Sequence, residues 1–270
     1  MESRAPAVAG RFYPGSPEVL AREVEALSAR GAAVRAPRPA LGVMVPHAGF
    51  IYSGAIAGQT FALVEPAARA LCMAPNHTGR GAAQALFSGA SFGLPGGDVL
   101  VDQELTAALL DGFCLSADNV AHEREHAIEV ELPFLRAQNP AVQIAALCLA
   151  RLSLRECAAL GNHVARVISQ LGPRPLLVAS SDMSHYVPAA QARRLDGLAL
   201  ERVLALDPEG LYQTVIAHDI SMCGFVPTTV MLFAAVALGA RRAELVRYGN
   251  SGDRSGDYDR VVGYAGVIVD

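Results

Sequence analysis

Four short segments hold most of the reactive side chains of this 270-residue chain. PHAG places His47 two residues past the apolar run LGVMV (41–45), and PNHTG places His77 three residues past ALCMA (70–74). SSDMSHY places Asp182 and His185 just after PLLVAS (175–180), and MCG places Cys223 ahead of an apolar helix. Each histidine alone reads as readily as a hydrogen-bonded loop residue, because Pro, Asn and Gly supply turn angles. Together they point to one crevice, since ligands of open α/β sheets bind outside the carboxyl ends of the strands. Two imidazoles and one thiolate leave a four-coordinate metal with an open position, as catalytic sites do. Such a donor set suits Fe(II), Cu or Zn(II), and spacing does not choose among them. Amides at the start of the apolar helix would favour a Cys223 thiolate.

The D-x-x-H pair is of another type. On an irregular turn or a first helical turn, Asp182 could raise the basicity of His185 and fix its tautomer, which makes His185 a candidate general base. The competing reading is a cap, because Ser180, Ser181, Asp182 and Ser184 all suit a helix start. HEREHAIEVELPFL is the other dense stretch. Read as a helix from His126 to Gln138, it buries Ile128, Leu132 and Leu135 and brings His126 and Glu129 together three residues apart. His126 would then face the crevice, while Glu123, Glu125, Glu129 and Glu131 form a solvated acidic face. Pro133 lacks an amide proton and would distort that helix.

The elements that must position these groups alternate. Ser16-Pro17 opens a helix through Ala29 with a cap followed by Pro at the first position. Strands are expected at 41–45, 70–74, 142–149, 175–180, 244–249 and 261–269, and helices at 103–111, 126–138, 154–171, 189–206 and 228–238. That alternation predicts a single α/β domain over residues 1–270, with a mostly parallel central sheet flanked by helices. The residues from Ile220 to Ala240 carry no charge, but Ser, Cys, Gly and Pro interrupt the first third, so a buried core helix fits better than a membrane span.

Composition narrows the function. Hydrophobic residues make up 52% and charged residues 18%, which excludes disorder, collagen and coiled coil. The net charge of −4 and dispersed Arg residues leave no basic stripe, so nucleic acid is not an expected partner. Five Cys at irregular spacing argue for a reducing compartment, and the N-terminus lacks the apolar core of a signal peptide, so a cytoplasmic protein is expected.

Eight blocks, AVAGRFYPG, VPHAGFIYSG, APNHTG, EHAIEVELPFL, SSDMSHY, SMCGFVP, SGD and VVGYAG, stand in an order that resembles the Memo family, called AmmeMemoRadiSam system protein B in bacteria and archaea. The resemblance implies a fold like that of the class III extradiol dioxygenases. It also implies that the metal ligands fall on His47, His77 and Cys223. By the same resemblance Asp182 and His185 are further pocket residues, with His185 where the dioxygenases keep a catalytic base, and His126 matches another of their active-site histidines. Those enzymes complete the iron site with a carboxylate, whereas a thiolate stands here, which is softer and itself oxidisable. Two functions follow as expectations. One is a nonhaem Fe(II)- or Cu-dependent, dioxygenase-like redox enzyme acting on a small molecule. The other is a protein that sequesters metal or binds a peptide without turnover. The name also implies radical-SAM and AMMECR-type partners.

Overall fold

The computed structural model describes residues 2–270, the side chains of Arg30 and Ala32 excepted. Its centre is four parallel strands, β1 (Gly42–Val45), β2 (Arg69–Pro75), β3 (Gln143–Leu149) and β4 (Leu176–Ser180). In space they run β3-β2-β4-β1. β4 therefore lies between β1 and β2, so the loops leaving those two parallel strands start on either side of its carboxyl end. This is the switch point of an open α/β sheet, where a crevice forms.

The expected α/β architecture with its mostly parallel centre is present, and the sheet is mixed at its margins. β5 (Asp182–Val187), β6 (Ala243–Asn250) and β7 (Val261–Val269) add antiparallel to the β1 side. Beyond β3 lie the short strands Val99–Val101, Ser91–Phe92 and Ser3–Arg4. These pieces of two or three residues are too short to leave a periodic signal.

Alternation along the strands splits the core in two. Leu71 and Met73 join Leu147, Leu160, Val230 and Leu232 on one face, while Ala70, Cys72 and Ala74 join Val43, Leu20 and Phe61 on the other. Successive strand side chains point to opposite faces, so an uninterrupted apolar strand feeds both layers. α1 (Pro17–Val34) and α2 (Ala55–Ala62) cover one layer. α4 (Leu154–Ser169), α5 (Ala189–Leu204) and α6 (Phe225–Ala237) cover the other, and a further helix, Pro208–Ala217, starts at an Asp207 cap that the sequence reading passed over. The uncharged stretch 220–240 contains the largely buried α6, and no helix among the described residues is long and apolar enough to cross a membrane.

Several local expectations are corrected. Residues 127–131 form turns, and the helix begins only at α3 (Leu132–Gln138), with Pro133 in its first turn. Proline is tolerated there because the first amides lack intrahelical partners. SSDMSHY is neither helix nor cap. Asp182 to Val187 pair with β7, the register shifting around His185, and Tyr186 adopts a φ of 59°. Of the four glutamates read as a solvated face, Glu125, Glu129 and Glu131 are buried.

Candidate metal centre

The loops leaving β1, β2 and β4 meet as the topology requires. His47 is 2% exposed, and its amide donates to Asp182 Oδ1 at 2.9 Å. Its Nδ1 lies 2.7 Å from Ser180 Oγ, whose own proton goes to the Ala127 carbonyl at 2.9 Å. A hydroxyl has one proton, so Ser180 must accept from His47 Nδ1–H. The Nε2 lone pair of His47 is thereby left for the crevice. Burial, helped by the charges of His77, His126 and His185, holds the pKa of His47 well below the ordinary value, so the ring is neutral.

His77 sits in a turn closed by Asn76 Oδ1, which accepts from the Gly79 amide at 2.9 Å. Glu125 grips it twice, accepting from its amide at 2.7 Å and from Nδ1 at 2.9 Å. Burial works against a charged His77, but the hydrogen bond and charge of Glu125 outweigh it and raise the pKa. Glu125 Oε1 also accepts from the amides of His126 and Ala127 at 2.9 and 3.0 Å. The same carboxylate thus orders both histidines. His126 Nδ1 lies 3.4 Å from it, and burial lowers the pKa of this third ring. The ring centroids of His47, His77 and His126 stand 5.0 to 5.5 Å apart, and one potential donor nitrogen from each lies within 4.8 Å of the others.

Cys223 is not one of that three-histidine group but adjoins His47. Its Sγ lies 3.3 Å from His47 Nε2 and accepts from the Asp182 amide at 3.3 Å. The expected thiolate at a helix start is not what this environment favours. α6 begins two residues later, and burial, reinforced by the charge of Asp182, pushes the thiol well up. A coordinated metal would reverse that preference, because a ligating thiol is deprotonated outright.

The structure separates the D-x-x-H pair. Asp182 serves His47, and burial raises its carboxyl to about 6 while the His47 amide bond pulls the other way. His185 is partly exposed and hydrogen-bonds to Ser221, through its amide to Oγ at 2.7 Å and through Nδ1 to the carbonyl at 2.8 Å. No hydrogen bond from Asp182 orients His185. Nor does His126 pair with Glu129, whose carboxylate accepts from Arg4, Tyr13 and two backbone amides. Glu125 and Ser180, which hold the Nδ1 atoms of His77 and His47, are the positions at the crevice that sequence reasoning missed. The adjacency of Glu125 to His126 was the available signal, but Glu125 was read with its neighbouring glutamates as part of a solvated face.

The residues fit a metal ion. His47 and His77 each have Nδ1 engaged by an oxygen partner and Nε2 unclaimed by one, the arrangement that orients a metal-binding imidazole by fixing its other nitrogen. A groove of about 280 Å³, lined by Asn76, Arg151, Ile216, Phe225 and Cys223, opens onto the thiol side. A larger cavity of about 650 Å³, between α1, α2 and β6, contains none of these histidines.

Fold and site together define an α/β protein with a histidine and cysteine crevice at the carboxyl ends of its strands. Residues 4–268 match the family described as Memo-like protein. Similar to this chain are MEMO1 family proteins of Methanosarcina barkeri (39% identity over 99% of this chain and 100% of the relative) and Aquifex aeolicus (37% over 99% of each). The chain belongs to the Memo family. A crystal structure of an uncharacterized Escherichia coli K12 protein is similar in fold alone, with a TM-score of 0.55 at 12% identity over 85% of this chain and 99% of that one.

Proposed function

We propose that this protein is a nonhaem metal-dependent redox enzyme. The supporting observation is the convergence of three histidine nitrogens within 4.8 Å beside a thiol 3.3 Å from His47 Nε2. His47, His77 and Cys223 would hold the ion, with His126 on the remaining side. Bound Fe(II) or Cu would supply electron transfer and polarisation of a ligand, whereas Zn(II) would supply polarisation alone. The chain's own groups have separable tasks. Glu125 holds His77 and Ser180 holds His47, each through Nδ1. Asp182 fixes the His47 backbone. The His185 Nδ1 proton is engaged by the Ser221 carbonyl, leaving Nε2 free to accept a proton from a hydroxyl-bearing substrate. Metal storage or peptide binding without turnover, with or without radical-SAM and AMMECR-type partners, is the competing function.

Elemental analysis of protein purified anaerobically, alongside His47→Ala and Cys223→Ser, tests the reading. Near-stoichiometric iron or copper in the wild type, lost in both variants, is expected. Protein that arrives without metal and refuses added iron, copper and zinc would overturn it. Stoichiometric metal with no oxidation of any hydroxyl-bearing substrate under oxygen would favour the binding function.

A further inference from the structure

Gln59 on α2 is 9% exposed, and its amide nitrogen has no acceptor among the described residues. A buried donor left unpaired costs stability, so Gln59 is better explained by a partner that the chain itself does not supply. The side chain lines the cavity of about 650 Å³ between α1, α2 and β6, a volume in the range of small-molecule pockets. Leu27, Ile51 and Ile56 give that cavity an apolar wall, and Ile51 is 58% exposed. Part of the same wall is the turn Phe50–Gly54, which is π-helical, a rare form that recurs at functional sites.

Arg247 brings charge to the same place. It stands opposite Gly266 in the pairing of β6 with β7, and directly opposed residues point to one face of a sheet. A Cβ on Gly266 would run into Thr60 and Ile56 of α2, and one on Gly249 would meet Ile56 at 3.4 Å, so this face of β6 looks onto α2. Arg247 is half-buried and makes no ion pair among the described residues. The other charges on the lining are Glu23, Asp253 and Arg254. Asp253 Oδ2 accepts from the Asn250 amide at 3.0 Å, and Glu23 belongs to α1 and pairs with neither arginine. Two cations and two anions balance, which gives a dianion such as a phosphate little net attraction. A single carboxylate set between Gln59 and Arg247 meets donors only. We propose that this cavity binds a small monocarboxylic acid with an apolar body, its carboxylate taken by the Gln59 amide and the Arg247 guanidinium and its hydrocarbon part laid on Leu27, Ile51 and Ile56. The site is separate from the histidine crevice and does not rest on the metal reading.

Hexanoate and its neutral counterpart hexanamide are the probes, titrated into full-length wild type, Gln59→Leu, Arg247→Met and Cys223→Ser while backbone amide resonances are followed. Hexanoate should saturate shifts in residues 50–59 and 247–254 with a Kd of about 1 mM or tighter, a modest efficiency for a ligand of this size. Hexanamide should bind about tenfold more weakly, and Arg247→Met should abolish that difference, since hydrogen bonds between charged groups are the stronger class. Gln59→Leu should bind hexanoate about tenfold more weakly yet unfold at no lower temperature than wild type, because it removes the orphaned donor. Should Leu not fold, Gln59→Met takes its place. Cys223→Ser should bind as wild type does. Absence of shifts with hexanoate, equal affinity for acid and amide, or a Kd unmoved in both Gln59→Leu and Arg247→Met would each overturn the inference. Shifts centred on residues 75–76 and 223–226 and lost in Cys223→Ser would overturn it too, by placing the acid at the thiol groove.

Discussion

His122 packs edge-on against Phe87 and Phe92, with centroids 5.4 and 6.3 Å away, and donates from Nε2 to the Ala85 carbonyl at 3.0 Å. Burial lowers its pKa to about 4, with the charge of Arg4 adding to the shift. His77 shows the opposite outcome of the same physics, because Glu125 offers a charged partner that outweighs burial. For His122 the folded pKa is below the unfolded one. Stability from its neutral form is therefore complete above about pH 6.5 and is lost as pH falls toward 4, by roughly 3 kcal/mol at 1.36 kcal/mol per pH unit. His122→Phe should lose correspondingly less stability than wild type across that window. Urea unfolding of both proteins at pH 7, 5.5 and 4 checks this, and parallel profiles would refute it.

At the scale of elements, the site depends on how closely α6 approaches the end of β4. The Gly224 amide donates to Ser181 Oγ at 3.1 Å, and a Cβ at residue 224 would overlap the Ser180 carbonyl and the Ser181 side chain. Overpacking of this kind typically costs about 1 to 3 kcal/mol. Gly224→Ala should lower the urea midpoint accordingly and move the Cys223 loop outward, reducing metal uptake more than its stability loss explains. Retained metal affinity at reduced stability would show that the loop adapts. The elements were legible wherever they were long. β2, β3, α4 and α6 fall within a few residues of their expected bounds, because apolar runs and periodicity determine them locally. β5 was not legible, since its pairing with β7 is a long-range contact that overrides the turn and cap propensities of Ser and Asp.

Across the whole molecule, the N-terminal segment is bound to the site by buried charge. Glu129, 0% exposed, accepts from Arg4 at 2.7 Å, the amides of Ala7 and Val8 at 2.8 and 3.0 Å, and Tyr13 Oη at 2.6 Å. Arg4 in turn donates to the carbonyls of His122 and Glu125, so both ends of the loop before His126 are clamped. Removing one partner leaves the other charge buried and uncompensated, a loss of about 3 to 5 kcal/mol. Glu129→Ala should show that destabilisation in denaturant. Hydrogen exchange should also quicken across residues 3–13 well before the central strands. Uniform acceleration throughout would mean the segment is an integral part of the fold.

The sequence alone determined the α/β alternation, the strand-end placement of His47, His77 and Asp182, and Cys223 at the threshold of an apolar helix, because each depends on residues within one or two turns or on an ordered set of motifs. Tertiary structure alone decided the partners. Whether Asp182 serves His185 or His47, whether Glu125 and Glu129 meet water or His77 and Arg4, and whether Glu131 lies on a surface or in the core all depend on segments tens of residues apart. Charge and hydrogen bonding act over a few ångströms of space and not along the chain, so the roles of these groups could be read only once the sheet had brought them together.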